Sequence, residues 1–210
     1  MSPTVTIVDY GMGNLRSVQK AFESLGARAV VTASPAAVRR AGRLVLPGVG
    51  AFGDAMRQLR RRRLVEPLIE RIGAGVPFLG LCLGLQLLFE TSEESPGVRG
   101  LGVLRGRVRK LRRRPATLKV PHIGWNQLEP VPMTTRCPLL TGVQGGAFVY
   151  FVHSYYAEPT ERAVVAARTT YGCMFPSVVW TDNVAATQFH PEKSQRVGLT
   201  MLRNFVSWSC

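Results

Sequence analysis

Acidic side chains are scarce in this chain, 13 against 27 basic ones, which leaves a formal net charge of +14. Long apolar runs are missing altogether. No stretch approaches the ~20 residues of a membrane span, and the opening MSPTVTIVDYG has neither the basic lead nor the extended apolar segment of a secretory signal. A soluble, cytoplasmic protein is therefore expected. Cysteine is sparse as well: Cys82, Cys137, Cys173 and Cys210 lie far apart, no two at metal-ligand spacing. That pattern argues against a disulfide framework or a structural metal, and it leaves free thiols. Aromatic residues make up only 8% and none interleaves with the arginine runs at Arg60 to Arg63 and Arg105 to Arg114, so the stacking platform of a nucleic-acid binder is lacking. The excess charge fits a solvated face, or a surface for an acidic partner or a phosphorylated ligand, at least as well.

What is present suffices for a buried core: 46% of the 210 residues are hydrophobic, with no internal repeat or linker, so a single domain over 1–210 is expected. Thr4 to Asp9 reads as a strand. Leu15, Val18, Phe22 and Leu25 then recur at helical spacing before Gly26 stops the helix. Ala27 to Val31 predicts a second strand, Pro35 to Ala41 a short helix, and Leu44 to Leu46 a third strand running into the turn Pro47-Gly48-Val49-Gly50. A βαβα opening predicts a mostly parallel central sheet with flanking helices, whose ligands gather at the carboxyl ends of the strands. Past Gly100 the segments shorten. Val103 to Leu111 and Lys119 to Leu128 read as antiparallel hairpins, Phe148 to Val152 and Val164 to Arg168 as strands, and Ser177 to Thr181 and Val184 to Gln188 as a pair joined at Asp182-Asn183. A last helix spans about Gln195 to Trp208. The class is α/β with an antiparallel β addition.

The chemistry centres on GLCLGLQ, where Cys82 stands between Gly80 and Gly84, after the short apolar run Pro77 to Leu79 and before the helix formers Leu83 to Phe89. This is the thiol form of a nucleophile elbow, a strained strand-to-helix turn that needs small neighbours. Such a turn lifts the sulfur clear of the sheet towards solvent and sets it at a helix N-terminus, which favours the thiolate. A thiol nucleophile needs a base, and three histidines are available. His122 and His153 have no carboxylate nearby and read as structural or substrate-side imidazoles. His190 is followed by Pro191 and Glu192, so that an extended backbone puts the carboxylate and the ring on one side. Cys82, His190 and Glu192 thus form the candidate catalytic set. The glycine-rich turn one βα unit upstream places the N–H of Val49 beside that of Leu83, a two-donor oxyanion hole.

Together the cysteine elbow, the PGVG turn and FHPE resemble the class I glutamine amidotransferases, with a match nearly end to end and the flavodoxin-like fold of that family. YGMGNLRS, PHIGWN, YFVHSYY and FHPEKS are similar to one branch of it, the glutaminase subunits of imidazole glycerol phosphate synthase. The resemblance implies hydrolysis of glutamine to glutamate and ammonia through a γ-glutamyl thioester on Cys82. His190 moves the proton, Glu192 holds its ring, and Val49 and Leu83 cradle the oxyanion, Val49 after a peptide flip. Gly48, Gly50, Gln86, Ser154 and Tyr155 hold the substrate. It further implies no cofactor and no metal, and a heterodimer with a (β/α)8 cyclase subunit that receives the ammonia and makes imidazole glycerol phosphate and aminoimidazole carboxamide ribotide. Asn14, Lys193 and the 122–126 segment are expected on loops that carry the partner's signal.

Other assignments stay open at this point. The anthranilate and aminodeoxychorismate types share the triad, but usually carry His at the place of Leu85, where this branch usually has Met, and lack KS after HPE. A hydrolase or stress protein of the same fold would lack the His-x-Glu pair. A basic nucleic-acid-binding protein would have no use for all three catalytic elements.

Overall fold

The computed structural model describes residues 3–112, 117–131 and 137–209. Cys210, Arg113 and Arg114 lie outside the described residues. The first half alternates strand and helix: β1 (Thr4–Val8), α1 (Leu15–Glu23), β2 (Arg28–Thr32), α2 (Pro35–Arg39), β3 (Leu44–Gly48), α3 (Phe52–Arg61), α4 (Val65–Gly73), β4 (Phe78–Cys82) and the single turn α5 (Leu83–Gln86). The second half is mostly strand: β5 (Thr91–Ser92), β6 (Gly106–Lys110), β7 (His122–Gln127), β8 (Glu129–Pro130), β9 (Phe148–His153), β10 (Tyr155–Pro159), β11 (Val165–Tyr171), β12 (Cys173–Thr181) and β13 (Val184–Thr187), closed by α6 (Gln195–Ser207).

Local chemistry explains the starts and stops. The Asn14 side chain accepts from Ser17 N–H to cap α1, and Gly26 takes the positive φ (78°) that ends it. Ser34 caps α2 with Pro35 in its first turn. Helices α3 and α4 are not among the elements expected from the sequence; Phe52, Ala55, Met56 and Leu59 form the buried stripe of α3, and Arg60 and Arg61 occupy its last turn.

The main sheet has the order β2-β1-β3-β4-β13-β12-β11-β8. From β2 to β13 the neighbours run parallel; β12, β11 and β8 continue it antiparallel. This is the expected α/β architecture. Alternation along the strands divides the core in two. Val5, Ile7, Val45, Leu79 and Leu81 pack with α1 and α6 on one face, while Val8, Leu44, Leu46 and Phe78 pack with α2, α3 and α4 on the other.

The two expected hairpins are a correction. The 103–111 segment forms β6, which pairs with β10 and β5, whereas the 119–128 segment forms β7, which pairs with β9 across a separate two-stranded ribbon. Each is antiparallel to a distant strand, because neither is joined to its partner by a short turn. The segment 122–126 therefore lies on a strand and not on a loop. Part of the arginine excess is spent internally: Arg107 and Arg109 pair with Glu158, Arg109 also with Glu93, and Arg60 donates to the Arg99 carbonyl.

Candidate active site

Three adjacent parallel strands, β3, β4 and β13, deliver their carboxyl ends to one edge of the sheet. Gly48 is in register with Cys82, and Leu81 with Thr187, three residues before His190. The topology thus gathers the glycine turn, the cysteine and the histidine although 142 and 108 residues separate Gly48 and Cys82 from His190.

Cys82 has the elbow geometry, φ 54° and ψ −105°, in a left-handed region that a non-glycine residue adopts only where its surroundings enforce it. Close packing supplies the enforcement. A Cβ on Gly84 would lie 1.9 Å from the Leu46 carbonyl oxygen, and one on Gly80 2.8 Å from the Gly84 oxygen, so both flanking positions require glycine. The sulfur is not lifted into solvent, however. Cys82 is only 6% exposed, because β9 closes over it and the Val152 carbonyl lies 3.8 Å from Sγ. The helix after it is a single α turn, continued by the i→i+3 bonds of Leu88 and Phe89, so little macrodipole stands behind the sulfur.

His190 Nδ1 lies 2.8 Å from Glu192 Oε1, and both side chains are nearly inaccessible. The pairing is the expected one but the backbone route differs. Pro191–Lys193 is a turn of 3-10 helix, whose first position suits the fixed φ of proline, and the carboxylate folds back onto the ring from there. Nε2 of His190 has no conventional hydrogen-bond partner among the described residues, and it faces Cys82. Burial pushes the imidazole towards its neutral form, but the interactions with Cys82 and Glu192 outweigh it and raise its pKa to about 10. A ring so placed is a strong proton acceptor and holds the proton once it has it.

A cleft of about 320 Å³, at the small end of ligand pockets, opens over the sulfur. Its walls include Val49, Gly50, Cys82, Leu83, Gln86, Ser154, Tyr155 and His190. Glu192 stands behind the histidine. Gly48 is not on the wall but beneath it, where a Cβ would come within 2.4 Å of the Tyr10 hydroxyl and 2.9 Å of Leu83 Cβ. Two further polar residues of this region are absent from the set expected from the sequence. Glu94 lines the cleft and accepts the Phe52 N–H through Oε2 at 2.7 Å. Gln188, fully buried beside His190, contacts both Gln86 and Cys82; an amide in the otherwise apolar run Val184 to Phe189, which it interrupts together with Thr187, is the signal that betrays it, since a buried amide must be partnered.

His122 and His153 are hydrogen-bonded to each other and not to a carboxylate, and His153 also lines the cleft. Their rings meet at 3.1 Å (His122 Nδ1 to His153 Nε2), His122 stacks on Tyr171, and His153 Nδ1 lies 2.8 Å from the Tyr155 carbonyl. Burial lowers them to about 4 and about 3 respectively, so both are neutral. Their stabilising contribution is present above the ordinary histidine pKa and drains away as pH falls from 6.5 through those values, because only the unfolded chain takes up the protons. Between pH 6 and 5 the unfolding free energy is expected to drop by up to roughly 2.7 kcal/mol per pH unit from these two rings. His190 has its pKa raised, so its contribution is largely in place below 6.5 and changes little across that range. Urea titrations across that range check this; a His122→Gln variant is expected to show about one proton less taken up on unfolding.

Among the described residues no group of three or more His, Cys, Asp and Glu side chains is placed to hold a metal ion, and no helix is long and apolar enough to cross a membrane. The model of the class-I glutamine amidotransferase family matches residues 6–208. Imidazole glycerol phosphate synthase subunit HisH of Geobacter metallireducens is 54% identical over 206 residues, which covers 96% of this chain and 97% of that protein. The subunit of the same name from Syntrophotalea carbinolica is 53% identical over 205 residues, with 96% and 98% covered. A solved structure, PurLQS from Thermotoga maritima, superposes with a TM-score of 0.74 at 17% identity over 98% of both chains, a likeness of fold alone. The chain belongs to the class I glutamine amidotransferases, and within them to the branch of the imidazole glycerol phosphate synthase HisH subunits.

Proposed function

We propose that this chain is the glutaminase subunit of an imidazole glycerol phosphate synthase, acting as one cytoplasmic amidotransferase domain that feeds ammonia to a cyclase subunit. The observation that carries the catalytic assignment is the convergence of Cys82, His190 and Glu192 at one end of three neighbouring strands, under a cleft sized for a small molecule.

Catalysis begins when His190 takes the proton of Cys82, and the sulfur adds to the side-chain amide carbon of glutamine. Charge develops on the carbonyl oxygen, where the N–H groups of Leu83 and Val49 receive it; Gly50, with φ of 95°, gives the 48–50 turn the freedom to present the second donor. The C–N bond breaks as His190 returns the proton to nitrogen, and ammonia leaves. Water, deprotonated by the same ring, cleaves the thioester to glutamate and restores the thiol. Glu192 fixes the tautomer and balances the imidazolium in a site too dry to do so otherwise. Gln86, Ser154 and Tyr155 line the far side for the substrate's polar ends, Gly48 supports the turn from below, and the Glu94 carboxylate is placed for an ammonium group.

Docking of a partner is supported by the outer face of β7 and β9. Ile123 (60% exposed), Trp125 (46%) and Phe148 (52%) stand together there, an unusual concentration of exposed large apolar residues. Tyr150 on the same ribbon accepts the His190 N–H through its carbonyl and carries Lys193 over its ring, which ties that face to the triad.

The test is glutamate release from glutamine by the purified chain, alone and with its cyclase and the phosphoribulosyl substrate. Release that rises by orders of magnitude in the full mixture and vanishes with Cys82→Ala is the expected result. Silence with a correctly paired cyclase, or release with the synthase of the anthranilate or aminodeoxychorismate pathway instead, would overturn the assignment.

A further inference from the structure

Gln188 is fully buried, and its backbone N–H is already committed to the Ser177 carbonyl. Its side-chain amide is oriented by a chain of bonds that begins at the Tyr155 carbonyl, an obligate acceptor. That oxygen receives His153 Nδ1 at 2.8 Å and Gln86 Nε2 at 2.9 Å. Gln86 must turn its nitrogen this way, and the second hydrogen of that nitrogen reaches Gln188 Oε1 at 3.1 Å. With its oxygen engaged as an acceptor, Gln188 can present only its nitrogen to the remaining neighbour, Cys82 Sγ, at 3.9 Å. One carbonyl thus sets the direction of every bond down to the sulfur. The neutral imidazole pair locks that carbonyl from behind: His153 carries its hydrogen on Nδ1, and so accepts His122 Nδ1–H at Nε2.

The direction matters because, among the described residues and apart from His190, the sulfur has two hydrogen-bond partners. The Val152 carbonyl accepts from a thiol S–H and repels a thiolate. An amide N–H donor does the reverse, since a hydrogen bond to the charged form favours that form. We propose that Gln188 is a further catalytic residue: its side-chain N–H, aimed by the one-way amide chain from the Tyr155 carbonyl through Gln86, holds the Cys82 sulfur as the thiolate that attacks. The proposal rests on Cys82 being the nucleophile of the glutaminase reaction.

Gln188→Met keeps the volume and removes the donor. The test follows alkylation of Cys82 by iodoacetamide against pH in the full-length chain, with Cys82→Ala as the background for the other thiols. The midpoint is expected to move up by about one to two pH units in Gln188→Met, and glutamate release with the cyclase present to fall about ten- to a hundredfold in kcat, with KM within about threefold, the factor a hydrogen bond to a charged group commands. Gln188→Glu, which offers the sulfur a negative acceptor, is expected to shift the midpoint further. If Gln188→Met does not fold, Gln188→Asn, whose amide stops one methylene short, is read by the same midpoint. A midpoint unchanged from the parent overturns the proposal, whether kcat is also unchanged or falls with a parallel rise in KM. Glutamate release that survives Cys82→Ala would instead refute the nucleophile assignment on which the proposal stands, an outcome independent of the Gln188 variants.

Discussion

Replacing His190 with asparagine is expected to lower kcat for glutamate release, measured in the presence of the cyclase, by at least ~10³-fold with little change in KM. The size follows from the two proton transfers that one ring serves. In the proposed mechanism it first removes the thiol proton and then supplies the proton without which nitrogen would have to leave as the amide anion. Asparagine can do neither. No described neighbour can stand in: His153 also lines the cleft, but both its nitrogens are engaged and burial lowers it to about 3, so it is a weak base. Glu192→Gln is expected to lose less, because the new amide oxygen still accepts from Nδ1 while the charge that balances the imidazolium is gone. A His190→Asn protein that kept a tenth of the parent rate would show that the base lies elsewhere, with His153 the first to examine.

Much of this site is legible in the sequence because its parts obey local rules. The elbow announces itself by glycines at fixed offsets, and the strands β1 and β3 by apolar runs that end in glycine turns. His190 and Glu192 are adjacent enough for their pairing to be read directly, although the 3-10 turn that joins them is not. What sequence does not supply is order in space. Nothing in Val184 to Thr187 says that β13 inserts beside β4, yet that one parallel pairing brings His190 to Cys82. The burial of Cys82 has the same origin: it depends on β9, which arrives from a pairing with β7 that no short turn dictates. Helices α3 and α4 escape for another reason. The buried stripe of α3 has helical spacing, but an arginine run that ends it dominates a reading led by charge. The chain from Tyr155 through Gln86 to Gln188 joins residues up to 102 positions apart and leaves no periodic trace; only the demand that each buried amide be partnered leads to it.

Gly84→Ala is expected to be the most damaging single methyl group that can be added to this chain at the elbow. Its Cβ would fall 1.9 Å from the Leu46 oxygen and 3.0 Å from the Leu46 carbonyl carbon, and both atoms belong to the backbone of β3. No rotamer change relieves such a contact. Either β3 parts from β4, against a register that runs from Leu44 to Gly48, or α5 rises off the sheet and carries Leu83 and Cys82 with it. Overpacking of an ordinary core costs ~1–3 kcal/mol, and a clash with fixed backbone belongs at or above the top of that range. Even a protein that absorbed the strain would hold its sulfur about 1 Å out of place, which can cost ~10²-fold in rate. Thermal unfolding and glutamate release read the two effects separately. Gly73→Ala is the matched control, since a Cβ there meets nothing within 4 Å and the residue closes α4 with ordinary helical backbone; it is expected to be neutral or to gain a few tenths of a kcal/mol, roughly. A Gly84→Ala protein that melted and turned over like the Gly73→Ala control would mean that the elbow does not pack directly on β3, and close approach to that strand would no longer explain why glycines flank Cys82.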